Sequence, residues 1–352
     1  MRRLIALSIA AALALISCSD DGKPTPRATV GPVDLVTHES FNVSDPVKAD
    51  ISRTVGELII HKNNGDAGEL TSQLVLTKGK PLGDVAFGVD NTFLEKVIKE
   101  NVFEPYKSPE LEHVSPELRS LVPDNQLSPI DVGDVCINAD AKWFKDHSLD
   151  VPRTLDDLVD PRYKGLMVAM DPTSSSPGRA FLFATIARYG ATGYADYWKK
   201  LRANDVAITS GWQEAYDGEY TASSGGKGKR PLMVSYATSP PAEIVYASDP
   251  KPAEPASVVM TDSCYRQVEF AGVLRGAKHP EQARRLIDAL LSEKFQADVP
   301  LEMFVLPART GTPLPDLFRF AAQPAKPLQL DPADVSANLD QWLETWTKTA
   351  LR

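Results

Sequence analysis

Apolar residues in this chain fall into two spacings: short runs rich in valine, isoleucine and leucine, and longer stretches in which they recur every three or four positions. The first spacing predicts strands and the second predicts amphipathic helices. Val33 to Thr37 reads as a first strand, and Ser44-Asp45-Pro46 follows as a cap with proline at the first helical position. Leu58 to His61 reads as a second strand, after which Asp66 and Glu69 stand at the capping-box spacing of a helix. Asp84 to Gly88 reads as a third, running into Val89-Asp90-Asn91, with Asn91 as the expected cap of a helix carrying Leu94, Val97 and Ile98. This strand-helix alternation predicts an α/β fold.

The pattern resumes in the middle of the chain. Leu166 to Ala169 reads as a strand, and the turn Asp171-Pro172-Thr173-Ser174-Ser175-Ser176-Pro177-Gly178 leads into a helix bearing Phe181, Leu182, Thr185 and Ile186. Ser176 is the expected cap, with Pro177 in the first turn. Val206 to Thr209 and Leu232 to Ser235 read as strands, separated by a basic, glycine-rich loop over 223–230 expected to be a solvated connection. Pro280 opens one further helix and Asp331-Pro332 the last, whose Val335, Leu339, Trp342, Leu343 and Trp346 form one apolar stripe. These tryptophans are expected to pack in the core.

The N-terminus changes the picture. Arg2 and Arg3 precede an apolar run, Leu4 to Ile16, that ends at Leu15-Ile16-Ser17-Cys18. A charged start and an apolar segment too short to span a membrane predict a secretory signal over 1–17. Cys18 is the expected lipidation site, and 18–32 a polar, proline-rich tether. The folded part is then extracytoplasmic, in the periplasm or on the outer face, and lipid-anchored to the cell membrane. Removing Arg2 and Arg3 from 38 basic residues leaves 36 against 47 acidic ones, a net charge of −11. Nucleic acid is excluded as a natural partner. Length and composition predict two lobes. With Cys18 assigned to lipid, Cys136 and Cys264 remain, in strand-like segments and in a compartment that permits disulfides, and are expected to pair.

An exported two-lobed α/β chain points to a solute receptor that closes on its ligand at the strand ends. Five stretches make this more specific: Thr37-His38-Glu39-Ser40-Phe41; Gly83 to Asn91; Asp171-Pro172 with Ser175-Ser176-Pro177-Gly178; Gly211-Trp212-Gln213-Glu214-Ala215-Tyr216; and Ser235-Tyr236-Ala237-Thr238-Ser239-Pro240. In this order they resemble the thiamine-binding proteins of bacterial ABC transporters, over nearly the whole mature chain. The resemblance implies a type II periplasmic-binding fold with a hinge of two crossing strands. Lobe one would be 33–134 plus 268–352 and lobe two 135–267, with both cysteines on the hinge strands. It also implies a monomer that needs no cofactor or metal, binds thiamine or a thiamine phosphate, and hands it to a permease.

Thiamine offers a thiazolium cation, a flat aminopyrimidine and a hydroxyethyl arm, so a pocket needs a carboxylate, aromatic faces and donors for the arm. Asp90, beside Asn91, matches the family's aspartate near the ligand, and Glu39 is a second carboxylate at a strand end. Both also suit plain roles, a helix cap and an exposed loop. Ser175 and Ser176 precede a helix start that favours an anion, and the resemblance groups that position with Trp212 and Tyr236. Tyr216 lies in the same stretch as Trp212. The chain departs from well-known members at His38, where they carry tyrosine, at Phe304, where they carry tryptophan, and near Ala242, where they carry another tyrosine. A tryptophan between Asn42 and Asp45 is also missing, so cation–π stacking is reduced. A ferric-ion receptor is the alternative of the same fold, but Tyr236 stands alone and no Tyr-Tyr pair occurs. A polyamine receptor would use the same acidic and aromatic groups. An exported serine hydrolase built on Asp171, Ser175 and a histidine lacks the Gly-x-Ser-x-Gly elbow.

Overall fold

A computed structural model describes residues 31–223, 225 and 227–351. The expected signal, the lipobox with Cys18 and residues 18–30 of the tether lie outside the described residues. No described helix is long and apolar enough to cross a membrane.

The first half of the chain runs β1 (Val33–Thr37), α1 (Asp45–Val55), β2 (Leu58–Lys62), α2 (Ala67–Leu76), β3 (Val85–Asp90), α3 (Leu94–Lys99), β4 (Phe103–Glu104), α4 (Pro116–Arg119), β5 (Ser128–Asp140) and α5 (Ala141–Asp146). The second half runs β6 (Met167–Met170), α6 (Ser176–Ala203), β7 (Ala207–Thr209), α7 (Trp212–Glu214), β8 (Leu232–Tyr236), α8 (Pro240–Val245), β9 (Ser257–Leu274), α9 (Pro280–Leu290), α10 (Glu293–Glu302), β10 (Leu306–Pro307) and α11 (Pro332–Trp346). The strands form one sheet in the order β2-β1-β3-β9-β5-β8-β6-β7. Parallel blocks at each end, β2-β1-β3 and β8-β6-β7, are joined through the long antiparallel pair β5 and β9. The α/β reading holds, and β5 and β9 are the two strands that link the halves.

Each half has its own apolar core. Leu35, Val85, Phe87, Leu286 and Phe295 are buried in one, and Val168, Phe181, Trp198 and Leu232 in the other. The apolar stripe of α11 explains where that helix goes. Trp346 stacks edge-on against Trp198 at 5.5 Å, Trp342 meets Phe183 at 6.2 Å, and Tyr194 donates to the Trp342 carbonyl. The last helix, expected with lobe one, therefore packs in the second core, because burying two tryptophans there outweighs sequence proximity to α9 and α10. The chain reaches it by running beside the hinge: Ala322 N–H donates to Ala237 and Leu328 N–H to Cys264.

At the hinge, Asp134 and Arg266 are register partners and form a two-pronged ion pair at 2.8 and 3.0 Å. The ladder then slips between Val135 and Ile137, and in that bulge Cys136 and Cys264 form the expected disulfide.

Three local expectations need correction. Asp90, not Asn91, caps the turn before α3, accepting from Thr92 and Phe93 N–H. Asn91 instead faces β9, exchanging side-chain and backbone hydrogen bonds with Arg266 and Val268. Ser175, not Ser176, caps α6 by accepting from Gly178 N–H, because Ser176 has already entered the helix. The loop over 223–230 is anchored at its end, where Arg230 donates to the carbonyls of Gly165 and Asp205 at 2.8 Å each.

Candidate functional site

The C-terminal ends of β1, β3, β6, β7 and β8 point toward one cleft between the halves, where an open α/β sheet places its ligands. The halves touch across it. Gly68 N–H, at the start of α2, donates to the Ser174 carbonyl at 2.8 Å, and Trp212 N–H donates to Asp66 Oδ2 at 3.2 Å. Arg179, buried on α6, lies 3.5 Å over the Phe93 ring and donates to the Thr92 carbonyl. This is a closed arrangement.

Gly68 is where closure depends on one missing atom. A Cβ there would sit 2.4 Å from the Ser174 carbonyl oxygen, in backbone that cannot give way. Gly68→Ala is therefore expected to leave α2 intact, since alanine favours a helix, yet hold the halves apart. Ligand affinity should fall by at least about tenfold and the radius of gyration of the loaded protein should stay at its ligand-free value. Scattering that still shows compaction on loading would refute this.

Aromatic groups gather on the lobe-two side. Trp212 stacks on Tyr216 with centroids 4.7 Å apart and donates through Nε1 to Ser235 Oγ at 2.9 Å. Tyr236 stands 6.4 Å from Trp212, donates to Gln267 Oε1, and fits because Gly133 opposite has no side chain. A cavity of about 400 Å³ is lined by Trp212, Tyr216, Tyr246, Phe304, Glu39 and Glu302 among others. That volume lies in the range of small-molecule sites. Phe304 reaches it from a left-handed backbone at φ 55°, and Tyr246 from the helical turn after Ala242. A deeper recess of about 50 Å³ continues inward, lined by His38, Asp66, Trp212, Tyr236 and Glu269. A third space, about 300 Å³ and strongly acidic, adjoins both through Glu39 and Asp66. Another groove, about 520 Å³ between α1, α9 and α10, is on the outer face of lobe one and away from the cleft.

Beneath the recess, three carboxylates stand in one row across the sheet. Glu269 on β9 is the register partner of Asp90 on β3 and of Asp131 on β5. All three are buried. Burial, and then Glu269, push the Asp131 carboxyl well above its ordinary range, and neither of its oxygens has a hydrogen-bond partner among the described residues. Asp90 Oδ1 takes the Thr92 and Phe93 donors, but Oδ2 takes none, and burial pushes its pKa up to about 6. His38 Nε2 meets Glu269 at 3.1 Å. Burial opposes charging this imidazole, but the Glu269 carboxylate outweighs it and the pKa is raised. Gly88 makes the contact possible, since its φ of 105° and bare Cα leave room for the His38 ring.

Six expected residues thus line the cavities: His38, Glu39, Trp212, Tyr216, Tyr236 and Phe304. Asp90, Ser175 and Ser176 are buried behind them, and Asn91 faces a separate cavity at the rear of the hinge. Sequence reasoning missed Asp66, Asp131, Glu269 and Arg179. Asp131 and Glu269 carried a readable signal, charged residues inside apolar strand runs. In the sequence a helix cap accounts for Asp66, but its second oxygen crosses the cleft to Trp212 N–H.

A family model described as bacterial extracellular solute-binding protein matches residues 80–331. The chain belongs to that family. Solute-binding proteins are receptors and not enzymes, which disposes of the hydrolase reading; Ser175 is in any case buried and caps a helix. Among relatives of this solute-binding protein, a thiamine-binding periplasmic protein of Salmonella typhimurium is 28% identical over 287 residues, covering 82% of each chain. A solved periplasmic thiamin binding protein superposes with a TM-score of 0.78 at 26% identity, over 91% of this chain and 96% of that one. Iron-bound HitA from Pseudomonas aeruginosa reaches 0.70 at 19% identity, over 89% and 99%, and shares the fold. The two-lobed solute-binding architecture expected from the sequence is thereby shown.

Proposed function

We propose that this solute-binding protein captures thiamine in the interlobe cleft and delivers it to the permease of an ABC transporter. The observation that carries the reading is the pairing of stacked aromatics, Trp212 and Tyr216, with carboxylates that form no ion pair with lysine or arginine among the described residues, on one cavity. A flat organic cation needs those two features together. The relatives named for thiamine support the same ligand. In this reading Trp212, Tyr216, Tyr236 and Phe304 offer faces and edges, Glu39 faces the thiazolium, and His38, Asp66 and Glu269 hold the aminopyrimidine edge. Asp90, with Ser175, Ser176 and Asn91 around it, sets the charge of the floor. Burial holds the Tyr236 phenol far above its ordinary pKa, which suits a neutral donor and not a phenolate ligand for iron.

The lobes are taken as 33–134 with the segment through β10, and 135–267 with α11, hinged on β5 and β9. The protein is taken as a monomer held to the membrane through lipid on Cys18; fatty-acid labelling that survives Cys18→Ser would reject the anchor. The function is tested by calorimetric titration of ligand-stripped protein with thiamine, spermidine and ferric citrate. Saturable thiamine binding below micromolar is expected, and heat from spermidine or iron alone would overturn the ligand.

The buried Asp90 gives this binding a pH dependence. Its folded pKa of about 6 exceeds its ordinary 3.8, so its protonated form favours the folded state. That contribution, on the order of 2–3 kcal/mol, is full below the unfolded value and lost as pH rises through about 6. A cationic ligand favours the carboxylate instead. Thiamine affinity should therefore rise between pH 5 and 7 with proton release on binding, and Asp90→Asn should flatten the profile. A wild-type profile already flat over this interval would count against the role of Asp90.

A further inference from the structure

Hydrogen-bond donors are distributed unevenly along the carboxylate row beneath the recess. Asp90 Oδ1 accepts from the Thr92 N–H, the Thr92 hydroxyl and the Phe93 N–H. Glu269 meets His38 Nε2 at 3.1 Å. Asp131, 1% exposed, accepts from no N–H or O–H of any described residue on either oxygen. What it meets is the Glu269 carboxyl, its register partner on β9, in hydrogen-bonding contact. On the other side β10 places Pro307 opposite it, and the next charged group along the row is again an acid, Asp90.

Two carboxyl groups in contact hold one proton between them, because ionising both side by side is costly. The supply of donors decides which of them carries it. An ionised Asp131 would be a buried charge with no donor, whereas an ionised Glu269 has one on each side. The proton therefore rests on Asp131, whose hydroxyl donates to Glu269; burial and the Glu269 charge favour the same form. The His38 side is fixed as well. Ser40 N–H donates to Nδ1 at 3.2 Å, which leaves that nitrogen without a proton and puts the imidazole proton on Nε2, facing Glu269. The Glu269 charge favours a second proton on the ring, but that proton would displace the Ser40 donor.

Glu269 lines the recess with His38 and Trp212, while Asp131 lines none of the three cleft cavities. Resting on the thiamine reading above, we infer that Asp131 is a positioning residue for the ligand: kept as a neutral acid, it donates to Glu269 and fixes that carboxylate as the acceptor for the amino group of the pyrimidine ring. A carboxylate already held between two donors loses little freedom when the ligand arrives, so its bond to the amino group is gained at small entropic cost.

The test joins calorimetric titration of the ligand-stripped full chain with its infrared spectrum. Asp131→Asn offers an amide N–H in place of the acid hydroxyl and should bind thiamine within about threefold of wild type. Asp131→Leu offers no donor and should bind at least about tenfold more weakly, with thermal melts confirming that both variants are folded. At mildly alkaline pH, where Asp90 and Glu243 with pKa values of about 6 and about 7 are ionised, the wild-type spectrum should keep a protonated-carboxyl stretch that Asp131→Asn removes. This arm needs neither the ligand nor the leucine variant. Asp131→Asn binding as weakly as Asp131→Leu, wild-type affinity in both, or a wild-type spectrum without that band would overturn the inference while leaving the thiamine reading in place. Absence of saturable thiamine binding by the wild-type protein would overturn the thiamine reading, and this inference with it.

Discussion

Trp212→Ala should weaken thiamine binding by roughly 100-fold, the largest effect of any single side chain in the cleft. Three contacts converge on this residue. Its ring stacks on Tyr216, its Nε1 donates to Ser235, and its backbone N–H reaches Asp66 in the opposite lobe. Truncation removes a large aromatic face from the cavity and leaves Ser235 with only Ser239 as a side-chain partner. Water then enters beside the carboxylates and weakens their hold on a cation. Trp212→Phe separates the contributions: it keeps a face, loses the Nε1 bond, and should cost only about tenfold. The fold should be insensitive to both, since the ring lies at the cleft and the second core is built on Trp198, Phe181 and Trp346. Calorimetric affinities within twofold of wild type for Trp212→Ala would mean that the ligand sits elsewhere.

The second large effect concerns stability. Replacing Cys136 and Cys264 together by serine should lower the free energy of unfolding by about 2–4 kcal/mol, because the bridge closes a chain segment of 128 residues. Long loops gain the most from such a closure in the chain-entropy account. The bridge also covers the point where the ladder between β5 and β9 slips, so few backbone hydrogen bonds are available there to take its place. Thiamine affinity should change little, since Asp134 and Arg266 still join the two strands two residues away along each. Urea unfolding of the double variant beside the wild-type protein measures this. Coincident transitions would show that the bridge adds nothing to stability.

Much of the fold was legible because local signals agreed with one another. Val33–Thr37 and Leu232 to Ser235 announce themselves as apolar runs bounded by turn residues, and Pro280 and Pro332 mark helix starts by their fixed φ. The cap errors show the limit. Asp90 and Asn91 are both good capping residues, and only the presence of β9 alongside decides that Asn91 turns to Val268 while Asp90 closes the turn before α3. Ser175 and Ser176 differ in the same way, by where the chain first enters helical geometry.

The candidate site was legible in part, and for a physical reason. Trp212, Tyr236, Glu39 and His38 sit at strand ends, a position that sequence can mark through strand boundaries. The carboxylate row could not be marked in this way. Asp90, Glu269 and Asp131 are separated by long stretches of sequence, and their adjacency is a property of register between β3, β9 and β5.

By itself the sequence determined the α/β alternation, the pairing of two cysteines and the solute-receptor class, because each rests on local composition, periodicity or motif order. Tertiary structure alone decided that α11 joins the second core, that Gly68 meets Ser174 across the cleft, and that the cleft gathers carboxylates which have no lysine or arginine ion pair among the described residues. Those outcomes depend on which distant surfaces are brought together as apolar area is buried, and no local spacing encodes that choice.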